Sequence, residues 1–241
     1  MKILITDGLA KEGLELLQSE NSIEVDVKKG LPKEELLEII KDYNGLIVRS
    51  ATKVTKEVIE ASEGNLKVVG RAGIGVDNVD IEAATKNGVV VMNTPEANAI
   101  TTAEHTLTLL LSLARNIPQA HASLKEGRWD RNKYKGIEIY GKTLGFIGLG
   151  NIGKLVAERA IGLKMKALAY DPYLSEEAAE KAGVTLVSLD ELYAQADLIT
   201  IHTPLNSETK DLVNKEAFEK MKDGVIIVNC ARGGIINEQD M

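Results

Sequence analysis

The stretch GKTLGFIGLGNIGKLVAERAIGLKMKALAYDP, residues 141–172, decides the fold of this chain. An apolar run, TLGFIG (143–148), meets glycines at 148, 150 and 153, and a helix-period segment follows. Glycine weakens helices and strands alike, so this spacing needs a local reason. At a strand-to-helix turn that reason is close approach. Gly148 allows the tight turn, Gly150 lets a diphosphate come near the backbone, and Gly153 lets the helix pack onto the strand. Free N–H groups at the helix start then face the phosphates. The next strand, KALAY (166–170), ends at Asp171, where a carboxylate can bond both hydroxyls of an adenosine ribose and would repel a 2′-phosphate. Alone, the glycines would suit any tight turn, and Asp171 would suit an Asp-Pro turn. In this order they specify a dinucleotide site that prefers NAD.

Outward from this motif, short apolar runs alternate with helical segments. On the N-terminal side the strands are KILIT (2–6), IEVDV (23–27), GLIVRS (45–50), LKVVGR (66–71) and VVVMN (89–93). The helices between them include one opening at Pro32 and one closing at Gly88. Such alternation implies a parallel sheet covered on both faces. The rhythm breaks at TPEANAITTAEHTLTLLLSLARNIP, which reads as one long helix with Thr101 and Glu104 at capping-box spacing. Its apolar face would carry Ile100, Ala103, Leu107, Leu110, Leu111 and Ala114. Alternation resumes at Lys142, with strands at 143–148, 166–170, 197–202 and 224–229 and helices at 151–162, 175–182, 188–194 and 214–221. The expectation is two doubly wound α/β domains, a flavodoxin-like one over residues 1–97 and a Rossmann one over 98–241. Four strands are fewer than the usual six of a Rossmann domain, and INEQDM opens as a helix with Asn237 as its N-cap. The second domain is therefore expected to be truncated.

Composition narrows the function classes. The chain has 241 residues, a formal charge of −7 and 44% hydrophobic residues. An acidic balance argues against a nucleic-acid surface. The longest apolar stretch, LTLLLSLA (107–114), is too short to span a bilayer. The lone Cys230 makes neither an internal disulfide nor a zinc site. The N-terminus MKILITDG reads as a strand rather than a signal sequence, so a cytoplasmic protein is expected.

Ligands of open α/β sheets bind at the carboxyl ends of the strands. In the second half those ends carry His202, Thr203 and Pro204, and then Cys230, Ala231 and Arg232. Arg232 is a fixed cation suited to hold a carboxylate and polarise a neighbouring carbonyl. In the first half, Arg49 and Arg71 follow apolar runs and would capture an anionic substrate. Of the three histidines, His105 reads as packed or interfacial and His121 as solvated. His202 alone has a strand-end position suited to proton transfer.

The motifs GLGNIG, YDP, HTPLNSET and NCARGG, with VVGRAGIGVDNVDI and NTPEAN upstream, resemble the D-isomer-specific 2-hydroxyacid dehydrogenases. The resemblance covers essentially the whole chain. Within that family, LIVRSATKVT and GRAGIGVDNVD are most similar to members that oxidise a phosphorylated glycerate at the first step of serine biosynthesis. The resemblance implies NAD as cofactor and a phosphorylated 2-hydroxy acid as substrate. It implies a homodimer formed through residues 99–135, with Trp129 as an anchor. By the same resemblance, Asn151 and Ile152 belong to the diphosphate turn, and Asp171 contacts the adenine ribose. Thr203 and Pro204 flank the cofactor, the segment Cys230–Arg232 underlies the nicotinamide ribose, and Ile74 lies near the nicotinamide. Arg232 is the catalytic arginine. Arg49, Ser50, Arg71, Gly73 and Gly75 meet the substrate across a cleft, and Asn98 lies at the hinge. The family's acid/base histidine and its glutamate lie beyond the ARGG segment, and its HTP histidine matches His202. The chain ends at Met241, so it is expected to be catalytically incomplete. Alternatives are a hydroxypyruvate or glyoxylate reductase, an NAD-sensing co-repressor and a non-catalytic NAD-binding module.

Overall fold

Strand β1 (Lys2–Ile5) is central to the first sheet because its residues are apolar on both faces, and three of the four are buried. Around it run β2 (Glu24–Val27), β3 (Gly45–Val48), β4 (Val68–Arg71) and β5 (Val90–Asn93), in the order β2-β1-β3-β4-β5, all parallel. This is the flavodoxin-like doubly wound order, with its switch point between β1 and β3. Helices α1 (Lys11–Ser19), α2 (Lys33–Ile39), α3 (Lys56–Ala61) and α4 (Ile81–Lys86) connect the strands. Asp80 caps α4 by accepting the Ala83 N–H at 2.9 Å, and Gly88 closes it at φ 68°. Leu36, Ile40, Leu46, Val58, Ile59 and Val69 form one core. Each such side chain contributes roughly 1.5–3 kcal/mol through burial.

The computed structural model describes residues 1–241 as two compact units, Met1–Asn98 and Ala99–Met241. No helix is long and apolar enough to cross a membrane.

The second unit opens with α5 (Ala99–Ala114) and α6 (Ile117–Lys125). The long helix expected over 99–115 is α5, and it stops before Asn116, which takes a left-handed conformation at φ 52°. The returning chain explains the stop. Ile137 N–H donates to the Ala114 carbonyl at 2.7 Å, and Asn116 Nδ2 donates to the Lys135 carbonyl at 3.2 Å. Thr101 lies inside α5, so the expected capping box with Glu104 does not form. The buried face of α5 is Ala99, Ala103, Thr106, Leu107, Leu110 and Ala114, while Ile100 and Leu111 are exposed. Of the two readings of His105, packed or interfacial, its exposure in the chain excludes only the packed one.

The second sheet comprises β6 (Thr143–Ile147), β7 (Lys166–Tyr170), β8 (Thr185–Leu186), β9 (Leu198–Ile201) and β10 (Ile226–Asn229). Its order is β10-β9-β6-β7-β8, all parallel. Five strands are present where four were expected, because β8 is only two residues long and forms by pairing with Leu168 and Ala169. Helices α7 (Asn151–Gly162), α8 (Glu176–Lys181), α9 (Leu189–Gln195) and α10 (Lys215–Lys220) complete the unit. Strand alternation feeds two cores. Leu144, Phe146 and Leu198 join α5 and α7 on one face, and Ile147, Ile199 and Ile201 join α9 and α10 on the other. Gly145 leaves room for α9, since a Cβ there would come within 2.8 Å of the Leu192 side chain. The segment after Ile235 is not helical. Asn237 donates its N–H to the Val213 carbonyl, and its side chain accepts from Gln239 N–H in a turn.

Candidate functional site

The switch point of the second sheet lies between β6 and β9, where the chain leaves in opposite directions. Here the three glycines have separate physical reasons. Gly148 has φ 89°, and a Cβ on it would stand 2.9 Å from the His202 carbonyl oxygen of the neighbouring strand. At Gly153 a Cβ would lie 2.7 Å from the Gly148 carbonyl, so only glycine lets α7 pack so close to the turn. Gly150 is different. No heavy atom lies within 4 Å of where its Cβ would be, so the space beside it is open. Gly150 is also the N-cap of α7, with no side chain to satisfy the first-turn N–H groups of Asn151, Ile152 and Gly153. An open approach, unsatisfied donors and the positive end of a twelve-residue helix dipole together fit an anionic diphosphate.

Asp171 follows β7 beside this turn. Its Oδ2 accepts the Leu149 N–H at 2.8 Å, and its Oδ1 accepts the Tyr173 N–H at 2.9 Å. Each carboxylate oxygen keeps acceptor capacity for a ligand hydroxyl. The acid thus bonds directly to the glycine turn, a role that its spacing in the sequence did not reveal.

After β9, His202 turns inward. Burial pushes its imidazole down to about 4, so the ring is neutral near pH 7. Its Nε2 lies 2.9 Å from the buried Thr200 hydroxyl, and the ring stacks near Phe146. Beyond it, Thr203 is half-buried and Pro204 is exposed. The Pro204 carbonyl accepts from the Thr209 hydroxyl at 2.6 Å, which ties down the loop. After β10, Asn229 shapes the next turn. Its side chain accepts from Ala231 N–H at 2.9 Å and donates to the Arg232 carbonyl at 2.8 Å. Arg232 Nη1 donates to the Ala231 carbonyl at 2.8 Å, and Cys230 packs against the core beneath. The turns carrying Gly148, Asp171, Thr203 and Arg232 thus follow four neighbouring parallel strands at one edge of one sheet.

In the first unit, Arg49 and Ser50 follow β3, and Arg71 ends the adjacent β4. Arg71 Nη2 donates to the Ser50 hydroxyl at 3.2 Å. The Arg71 guanidinium lies over Gly73, whose φ of 157° favours glycine. The Gly73–Gly75 loop is fixed from β5. Thr94 N–H donates to the Gly73 carbonyl at 3.0 Å, and Asn93 Nδ2 donates to the Ile74 carbonyl at 2.7 Å. Asn98 is the last residue of this unit. Asn93 escaped the sequence reading, as did buried Asp7 and Asn78, whose side chains hold the turn at Arg49. Asp7 lies just past β1, Asn93 ends β5, and Asn78 lies in the turn before α4.

A mostly parallel doubly wound sheet with a glycine turn, a bare helix start and a strand-end acid defines a dinucleotide-binding protein. Residues 107–241 match the NAD-binding domain of the D-isomer specific 2-hydroxyacid dehydrogenases, and the chain belongs to this family. Its relatives include proteins named D-3-phosphoglycerate dehydrogenase. That of Methanocaldococcus jannaschii is 54% identical over 240 residues, covering 99% of this chain and 45% of the relative. That of Rattus norvegicus is 53% identical over 237 residues, covering 98% of this chain and 44% of the relative. The chain therefore spans less than half the length of these relatives. Among solved structures, the NAD+-bound 3-phosphoglycerate dehydrogenase of Entamoeba histolytica matches with a TM-score of 0.82 and 34% identity. That match covers 100% of this chain and 74% of the other. The TT0316 protein of Thermus thermophilus matches with a TM-score of 0.88 and 35% identity, over 100% and 76% of the two chains.

Proposed function

We propose that this chain carries the NAD site and the substrate-anion site of a dehydrogenase acting on 3-phospho-D-glycerate, which is oxidised to 3-phosphohydroxypyruvate. One observation carries the choice of substrate: Arg49, Ser50 and Arg71 gather at two adjacent strand ends, with Arg71 bonded to Ser50. Two cations and a hydroxyl suit a phosphorylated acid better than a small neutral one. The names of relatives more than half identical to this chain support the same reading.

Bound NAD supplies the hydride acceptor. In this reading the first-turn N–H groups of α7 hold the diphosphate, and Asp171 takes the adenine-ribose hydroxyls. Arg232 binds the substrate carboxylate and polarises the carbon that gives up hydride. Its guanidinium stays protonated, so it cannot accept the hydroxyl proton. His202 is also unsuited, since burial penalises its charged form and Nε2 already faces Thr200. His105 and His121 are exposed on α5 and α6. We infer that none of the three histidines is the acid/base, and that the 241-residue chain alone turns substrate over negligibly. A second copy would pack on α5 and α6, where Leu109, Leu113, Ile117 and Leu124 are exposed, with exposed Trp129 just beyond α6, and the protein would work in the cytoplasm.

The test is calorimetric titration of the chain with NADH, 3-phosphoglycerate and glycerate. Binding of NADH, and of phosphoglycerate more tightly than glycerate, supports the reading. Equal affinity for the two acids would overturn the choice of substrate.

A further inference from the structure

We propose that Asp7 and Asn78 act as a pair of positioning residues that hold the turn Arg49–Thr52 in the shape that presents Arg49 and Ser50 to an anionic substrate. This rests on the reading of that turn as an anion site. Past the end of β3 the sheet ladder stops, so the backbone groups of the turn need other partners. Side chains supply them from both directions. Asp7 Oδ2 accepts the Arg49 N–H at 2.6 Å and the Thr52 N–H at 3.2 Å, while Asp7 Oδ1 accepts the Thr52 hydroxyl at 3.0 Å. Asn78 Nδ2 donates to the Arg49 carbonyl and the Thr52 carbonyl, each at 2.7 Å. The two residues that bound the turn thus give their N–H groups to one side chain and their carbonyls to another.

The chemistry matches donor to acceptor. An ionised carboxylate only accepts, and Asp7 meets three donors. The Asn78 amide nitrogen only donates, and it meets two carbonyls. Both side chains are buried, at 9% and 6% exposure, so neither bracket competes with water. Asp7 follows β1 and Asn78 precedes α4, so three separate segments converge on the turn. The backbone is held without recruiting the exposed Arg49 side chain, which stays available to a ligand. Ser50 is held from a third side by Arg71. A site built this way meets its ligand already ordered, which lowers the entropic cost of binding.

The test uses the 241-residue chain with 3-phosphoglycerate as titrant and NADH as an internal control. Asp7→Asn keeps the shape but sets an amide N–H₂ against donors, and Thr52→Val removes one donor. Both should weaken phosphoglycerate binding roughly tenfold or more, the change expected from losing one charge-assisted bond. NADH affinity should not change, because the glycine turn belongs to the other unit. Amide exchange at Arg49 and Thr52 should speed up, and Thr52→Ser should behave as the parent. An equal loss of NADH binding would indicate general damage and overturn the proposal. If Arg49→Ala weakens phosphoglycerate binding but Asp7→Asn and Thr52→Val do not, the bracket falls and the anion site stands. If Arg49→Ala has no effect, or the parent chain binds no phosphoglycerate, the anion site falls and takes the bracket's role with it.

Discussion

Asp171 Oδ2 accepts the backbone N–H of Leu149 at 2.8 Å, so the acid at the end of β7 and the turn after β6 form one structural unit. In the proposed reading, the residue that takes the adenosine-ribose hydroxyls thereby also fixes the backbone that meets the diphosphate. Removing it should damage both halves of the nucleotide site.

Asp171→Ala is accordingly expected to weaken NADH by more than the ribose contacts alone. A hydrogen bond to a charged group is worth on the order of 1.5–3 kcal/mol, and the loop loses its brace as well. Discrimination against NADPH should relax, because the charge that repels a 2′-phosphate is gone. Fluorescence titration of both nucleotides measures this, and equal NADH and NADPH affinity in the parent chain would refute it.

The three glycines should separate stability from binding. Gly153→Ala places a methyl 2.7 Å from the Gly148 carbonyl, and Gly148→Ala combines φ 89° with a 2.9 Å approach to the His202 carbonyl. Each should destabilise the fold by roughly 1–3 kcal/mol in urea unfolding. Gly150→Ala meets nothing within 4 Å and should fold like the parent, yet lose NADH affinity because its methyl stands in the ligand's path. A Gly150→Ala variant that binds NADH normally would disprove the diphosphate position.

Arg49→Ala and Arg71→Ala are expected to weaken 3-phosphoglycerate more than glycerate, by about tenfold or more for each lost charge-assisted bond. Arg71→Ala should have the larger structural effect, since it also releases Ser50 and uncovers Gly73. Calorimetry with the two acids separates the outcomes, and parallel losses would mean that the phosphate is held elsewhere.

The buried His202 makes stability depend on pH. Its folded value, about 4, lies below the ordinary 6.5, so the unfolded chain binds the proton more readily. The contribution is complete above pH 6.5 and is lost as pH falls through 4, amounting to on the order of 3 kcal/mol. His202→Gln should remove this acid sensitivity between pH 6.5 and 4 in denaturant melts. An unchanged pH slope would show that His202 titrates normally in the folded protein.

Where the sequence reading succeeded, the cause was local. The helices at 151–162 and 188–194 are legible from periodicity, and Ser188 closes a capping box with Glu191. The reading failed where a distant segment decides the conformation. The segment INEQDM, expected to open as a helix, is instead held by Val213, whose carbonyl accepts the Asn237 N–H. Strand β8 is only two residues long and is defined by its pairing with β7. Ile100 and Leu111, expected on the apolar face of α5, are exposed.

By itself the sequence determined the alternation of strands and helices, the glycine turn and the strand-end acid that follows it. Those features depend on side-chain period and backbone freedom within a few residues of each other. Tertiary structure alone decided the strand orders, the neutral state of His202, and the pairing of Asp7 with Arg49 across 42 positions in the chain. The reason is physical. A buried backbone group must find a partner, but which side chain supplies it depends on which segments the sheet brings together.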